Sequence, residues 1–323
     1  MEEFKGQNIL NLVKELPNDD ACKAYLSKIK WMDGFKCTKC GSVKGCEKSG
    51  FNYHCYTCNH VESATANTLF HKVKFGLQKA FLIVFEMTTS SKSLSSVQIG
   101  KRYGISQTTA WFFMQKVRVS MKSSQKYPLS EIVHVDEFVV GGKEDGKQGR
   151  SYDTKKTKAV IAVELTDKNK VKRVYVKAID DFSAKSLTPI FEEHISTSAK
   201  IFTDKWRGYS PLKPKYNIEQ KESKNGKNFK EMHIVIHQIK SWIRTVPTHV
   251  SKKHIQSYFD EFTFRINRSI FNSVLNVKKK EKKKRVIFVS QINFELHNKK
   301  ALFYGKYNFV FSNNFKIRPF KIQ

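Results

Sequence analysis

The stretch IVHVDEFVV, residues 132–140, alternates side-chain character and is rich in β-branched residues. It reads as a β-strand with an aspartate, Asp136, in its middle. KAVIAVEL (158–165) and VKRVYVKAI (171–179) have the same character and flank the polar turn Thr166–Lys170, which predicts a hairpin. A helix is expected over 184–195, and then a short strand, AKIFTD (199–204), that ends on Asp204. Residues 216–230 read as a polar loop, and two helices are expected over about 230–244 and 251–266. Strands interleaved with helices make 126–275 a mixed α/β domain.

The two aspartates carry the first chemical expectation. A charge in the middle of a buried strand is costly unless something pairs with it. Two carboxylates at neighbouring strand positions suit metal-dependent phosphoryl chemistry, which holds two ions roughly 3.5–4 Å apart across a phosphate. Unrelated aspartates at strand ends would give the same text. Along 230–244, Met232, Val235, Ile236, Ile239 and Ile243 form an apolar stripe. His233, His237, Lys240 and Arg244 lie one residue on from that stripe and share one flank. A metal ligand at 233 and phosphate-binding cations at 240 and 244 would then face one site, although a solvated basic face has the same pattern. Glu231 is the rival third ligand, about 200° around the helix from His233.

Upstream the text changes character. Cys37-x2-Cys40 and Cys55-x2-Cys58 are separated by fourteen residues. Each pair can aim two thiolates at one ion, and two pairs complete a tetrahedral zinc site. Gly41 suits the tight turn after the first pair. Redox CxxC pairs are the competing reading. Cys22 and Cys46 fall outside the pattern and read as plain thiols, and His54 and His60 are not needed as ligands. A zinc ribbon is therefore expected over 33–62, held together by its metal. Ahead of it, 4–15 and 18–30 read as short amphipathic helices, with Pro17 breaking the first and Asn18 capping the second.

Between ribbon and strands, helices are expected over 76–89, 95–103 and 107–121, with Gly104 ending the middle one and Ser106 capping the last. Val97, Ile99, Ile105, Ala110, Phe113 and Val117 are the expected core of this segment, which leaves Lys101, Arg102, Gln107, Thr108, Lys116 and Arg118 facing outward. The spacing fits a helix-turn-helix entering a major groove, and equally an ordinary αα-hairpin with a basic face.

Composition sets the partner class. The chain has 323 residues, 59 Lys+Arg against 29 Asp+Glu, and a net charge of +30. Hydrophobic residues at 40% and aromatics at 13% allow a real core, which excludes a disordered basic tail as the whole answer. Such a charge points to a polyanion, with double-stranded DNA first. The run AFLIVFEM (80–87) is too short to span a bilayer, and the opening MEEFKGQN is acidic and polar. A cytoplasmic, nucleoid-associated protein without a membrane partner is the expectation.

The matching stretches CTKCG…YHCYTC, TLFHKVKFGLQKAFLIVFEM, VHVDEFVVGGKEDGKQGRSY, IFTDKWRGY and HIVIHQIKSWIRTVPTHVSKKHIQSYFDEFTFRINR span roughly 33–268. In this order they resemble the bacterial insertion-sequence transposases of the DDE superfamily that carry an N-terminal zinc ribbon. The resemblance implies a ribonuclease-H-like catalytic fold with Mg2+ or Mn2+ on its sheet carboxylates, besides the structural Zn2+. It puts the first two acids on Asp136 and Asp204, the third position (Glu, Asn or His among relatives) on His233, and a lysine on Lys240. It implies a homo-oligomer that binds the element's terminal inverted repeats and target DNA, cutting and joining strands. An inactivated relic, a zinc-ribbon DNA-binding regulator, or a nuclease without strand transfer are the rival readings. The layout expected is a multi-domain α+β chain: a helical segment (1–32), the ribbon (33–62), helix-turn-helix-like helices (63–125), the ribonuclease-H-like domain (126–275) and a basic tail (276–323). The tail turns lysine-rich and then Phe/Asn/Ile-rich, with Glu295 the one acid in 286–323, and is expected to pack outside the core.

Overall fold

A computed structural model describes residues 8–90, 92–123, 125, 127–142, 156–224, 226–245 and 250–278, with the side chains of 269–278 excepted. The expected tail from 279 onward lies outside the described residues, as does the part of the matching stretch VHVDEFVVGGKEDGKQGRSY that follows Gly142. The described chain divides into two compact units between Ser120 and Met121.

In the first unit, α1 (Ile9–Glu15) is capped by Asn8, and α2 (Asp19–Lys30) by Asn18, whose side chain accepts the Ala21 N–H. The ribbon is a three-stranded antiparallel sheet of β1 (Gly45–Lys48), β2 (Asn52–Cys55) and β3 (Val61–Ser63). The end of α2 packs on it. Trp31 lies against Tyr53, Phe35 stacks on Tyr53, and Lys30 pairs at 2.6 Å with the buried Glu62. The helices α3 (Leu77–Thr89), α4 (Ser96–Tyr103) and α5 (Gln107–Ser120) follow. Gly104 ends α4 in the left-handed conformation, and Ser106 accepts the Thr109 N–H at the start of α5.

The second unit is built on a five-stranded sheet: β4 (Ile132–Val140), β5 (Thr157–Leu165), β6 (Val171–Ile179), β7 (Lys200–Thr203) and β8 (Asn217–Gln220). Its order is β6-β5-β4-β7-β8, with β4, β5 and β6 antiparallel neighbours and β7 and β8 parallel to β4. This is the ribonuclease-H-like arrangement. The helix α6 (Ala184–His194) crosses from β6 to β7 and covers one face, where Val133, Val135, Leu187, Ile190 and Ile201 are buried. On the other face, α7 (Lys230–Arg244) and α8 (Ile255–Lys278) bury Phe138, Ile161, Val163, Ile239 and Phe259. All five members of the apolar stripe expected on α7 are buried.

Two expectations change here. The segment 216–230 contains β8, a four-residue strand with one apolar residue, Ile218, too short to be seen without the partner β7. The last helix starts at Ile255 rather than 251 and runs to Lys278, beyond the expected domain end at 275.

The outer edge of β6 is covered by side-chain amides of α8. Asn267 accepts the Val174 N–H and donates to the Val174 carbonyl, and Gln256 accepts the Ala178 N–H and donates to the Val176 carbonyl. An open edge is thereby closed against a foreign strand. Gln256 also donates to Asp260, whose carboxyl is raised to about 6 by burial, against the pull of Gln256 and Lys122. The folded chain therefore holds this proton more tightly than the unfolded chain does. Stability falls as pH rises from about 4 to about 6 and stays lower above, by roughly 2–3 kcal/mol. Asp260→Asn is expected to raise the melting temperature at pH 7 and to leave it nearly unchanged at pH 4. Thermal melts at the two pH values check this.

Candidate active site and metal centre

β4 and β7 run parallel, and their pairing ends at Val135 opposite Thr203. Asp136 and Asp204 are the next residue on each chain, so they sit where the two strands part at their C-terminal ends. Parallel strands open a crevice for ligands at that place. The turn after β7 is tied down. The Asp204 side chain accepts the Trp206 N–H at 3.0 Å, and the indole N–H of Trp206 reaches the Phe182 carbonyl. Gln220, on the strand that sequence reading missed, donates to the carbonyls of both Asp204 and Trp206. It orients the second aspartate, and only the sheet order reveals that.

One carboxylate oxygen each from Asp136, Glu137 and Asp204 lie within 4.8 Å of one another. Two oxygens bound to one Mg2+ at 2.0–2.1 Å lie roughly 3–4 Å apart, so this donor set fits a hard divalent ion. Glu137 was not among the expected site residues, though it stands next to Asp136 in the sequence.

From α7, the Nε2 of His233 comes to 3.8 Å from Asp136 Oδ2. That nitrogen is buried and has no hydrogen-bond partner among the described residues. Burial, and then the charges of His237 and Lys240, lower the imidazole pKa, which favours the neutral form that can ligate a metal. Gly226 lies against this ring. It has φ +83°, and a Cβ there would come within 3.1 Å of the imidazole. Glu231 is placed elsewhere: its charge acts on His134, which packs between the rings of Phe202 and Phe229. Lys240 is half-buried. Burial and Arg244 lower its pKa while the charge of Asp136 opposes them. Arg244 is exposed at the end of α7.

In the ribbon, the four sulfurs of Cys37, Cys40, Cys55 and Cys58 also lie within 4.8 Å of one another. The Cys37–Cys58 and Cys40–Cys55 pairs are each 3.6 Å apart. That is too long for a disulfide and close to the ~3.8 Å edge of a tetrahedron with Zn–S bonds of about 2.3 Å. Each knuckle closes by a turn, the Gly41 N–H on the Cys37 carbonyl and the Asn59 N–H on the Cys55 carbonyl. Gly41 (φ +76°) and Asn59 (φ +55°) both take the left-handed conformation this needs. Cys22 lies buried outside the cluster, its thiol pushed up to about 12 by burial and by Asp19.

The helix-turn-helix-like segment departs from expectation in three places. Arg118 is buried, because it lies one turn after Met114 on the core stripe of α5. Lys116 turns inward, donating to the His71 carbonyl at 2.8 Å. Val97, expected in the core, is exposed. Lys101, Arg102, Gln107 and Thr108 are exposed, with Arg102 tied to Glu86.

Residues 128–267 match a family described as the ISXO2-like transposase domain, and residues 17–61 match the transposase zinc-ribbon domain. The ribbon match begins within the segment that carries α2, in keeping with the packing of Lys30 and Trp31 on the sheet. Among solved structures, the chain is similar to one titled as a pre-cleavage Mos1 transpososome. The identity is 10%, the match covers 59% of this chain and 76% of that one, and the TM-score is 0.22. No curated protein matches the chain. No helix among the described residues is long and apolar enough to cross a membrane.

Proposed function

The chain belongs with the insertion-sequence transposases whose DDE domain follows a zinc ribbon, and on that premise we propose that it cuts and joins the DNA at its element's ends. The observation that carries this is the convergence of Asp136, Asp204 and the His233 imidazole at the parting of two parallel strands. Divalent ions held there would polarise a phosphodiester and activate the attacking hydroxyl.

The protein's own part is positional. Asp136 and Asp204 hold the reacting phosphate's counter-charges at fixed strand ends. His233 closes the site from α7, and Lys240, on the same flank, offsets charge that builds on the phosphate oxygens. Water attacks the phosphorus first, and the bond to the leaving strand's 3′-oxygen breaks. The freed 3′-hydroxyl then attacks target DNA, forming a new P–O bond as the target's own 3′-oxygen departs. The exposed Lys101, Arg102, Gln107, Thr108 and Arg244 supply contacts to duplex DNA, and pairing of two element ends calls for more than one copy. Arg118 and Lys116 are left out of that surface because they point inward.

Joining separates this reading from a plain nuclease. The protein is incubated with labelled DNA carrying the element's terminal repeats, a target plasmid and Mg2+ or Mn2+. Labelled plasmid, with the element's 3′ end covalently joined, is the expected product. Cleaved ends without any joined product would mean hydrolysis only, and no cleavage in either metal would contradict the reading.

A further inference from the structure

The outward face of α5 is amide and apolar rather than basic. Both cations of the helix are taken up on its inner side: Lys116 donates to the His71 carbonyl, and Arg118 is buried. Exposed on the first half of α5 are Gln107, Thr108 and Phe112, the last with a relative exposure of 63%. Thr108 and Phe112 are four residues apart and share one face, with Gln107 beside them. The half-buried Trp111 meets the Phe112 ring edge-on, with 5.0 Å between centres, and so restricts how that ring can turn.

The surroundings of this face are cationic. No acidic residue occurs between Glu86 and Glu131. Lys101 and Arg102 are exposed at the end of α4, and the Lys79 ammonium stands beside the turn, 4.0 Å from where a Cβ on Gly104 would lie. The turn itself is only Gly104–Ser106, and it folds back closely on α4. The Gly100 carbonyl accepts the Ile105 N–H at 3.0 Å, and a Cβ on Gly100 would come within 2.9 Å of the Ile105 carbonyl oxygen. A short link of this kind, bearing glycine, joins the helices of a helix-turn-helix. There the first helix crosses the phosphate backbone and the second turns its N-terminal residues to base edges.

Resting on the proposed binding of the element's ends, we infer that the outward face of α5 reads A·T base pairs in the major groove, with Phe112 packed on a thymine methyl group and Gln107 paired with an adenine edge.

Side-chain chemistry selects the base. Guanine is read by Arg or Lys, and α5 turns neither of its own outward. A glutamine amide matches the N6 donor and N7 acceptor of adenine, and Phe or a Thr methyl matches the thymine methyl. Gln107 and Phe112 stand about 7.5 Å apart along the helix axis, roughly two base-pair steps. Charge selects a duplex over a second copy of the chain as the occupant. Two such faces would bring like charges together, whereas DNA brings the opposite charge.

The test is fluorescence-anisotropy titration of the full chain with duplex carrying the element's terminal repeat, made with thymine or with deoxyuridine at every thymine position. Uracil keeps the base pairing and lacks only the methyl group. Wild type is expected to bind the uracil duplex about five- to tenfold more weakly, and Phe112→Ala to bind the two alike. Phe112→Leu, which keeps an apolar contact, should retain part of the preference. Gln107→Ala should lose the wild-type preference for adenine over 7-deazaadenine, which lacks the N7 acceptor. Lys101→Ala, at a phosphate contact, should weaken binding to both duplexes equally. Melting temperatures equal to wild type show that the variants are folded. A thymine preference that survives in Phe112→Ala overturns this inference alone; if that variant also sediments as a smaller species, a second copy covers the face. No thymine preference in a wild type that still selects the terminal repeat over unrelated duplex likewise overturns it alone. Failure to select the terminal repeat at all overturns it together with the proposed binding of element ends.

Discussion

Asp136→Ala and Asp204→Ala are each expected to reduce cleavage of element-end DNA by roughly a hundred- to a thousandfold or more, while duplex binding stays within about threefold of wild type. The separation follows from placement. Both aspartates lie at the parting of β4 and β7, and the cations proposed to touch DNA lie on other elements. Removing a negative charge beside a polyanion site does not weaken the polyanion's binding; if anything it tightens it. Gel-shift titration and a cleavage time course on the same preparations check both halves. A parallel loss of binding and cleavage would show that the substitutions unfold the sheet.

The second large effect concerns the ribbon. Freshly purified, reduced protein should carry about one Zn2+ per chain on Cys37, Cys40, Cys55 and Cys58. Outside its contacts with α2, the three-stranded sheet has little apolar material to bury, so the metal supplies most of its folding energy, of order 10 kcal/mol. Chelation, or Cys55→Ser, should open residues 33–62 to proteolysis at sites closed in the zinc-loaded protein. Metal analysis by mass spectrometry and limited digestion check this. A zinc-free preparation with the same digestion pattern would contradict it.

Much of the frame was legible because its physics is local. The bounds of β4 and β6 match the expected 132–140 and 171–179, since β-branched alternation over nine residues has few competing readings. The cysteine box was legible for a different reason: a tetrahedral ion dictates both pair spacing and turn residues. What escaped depended on distant partners. β8 is a short, mostly polar stretch, Asn217–Gln220, that becomes a strand only by lying along β7, and Gln220 gains its role only through that pairing. Arg118 was assigned to the surface on charge alone, yet its helical position puts it on the buried stripe. Glu137 was not among the expected site residues, and strand alternation sends it to the face opposite Asp136. The open end of the β4–β7 ladder brings the two together again. On α7 the helical period set His233 on one flank with Lys240 and Arg244 and left Glu231 as a rival, and it is the imidazole that approaches Asp136.

That choice of register is also the most direct point of attack on the account, because the whole site depends on α7 presenting His233 to the strand ends. The measurement is cleavage of element-end DNA by His233→Ala and Glu231→Ala, side by side with wild type in Mn2+. The account predicts that His233→Ala loses most of the activity and that Glu231→Ala, whose side chain neighbours His134, keeps it. Full cleavage by His233→Ala together with loss in Glu231→Ala would contradict it and make Glu231 the third ligand.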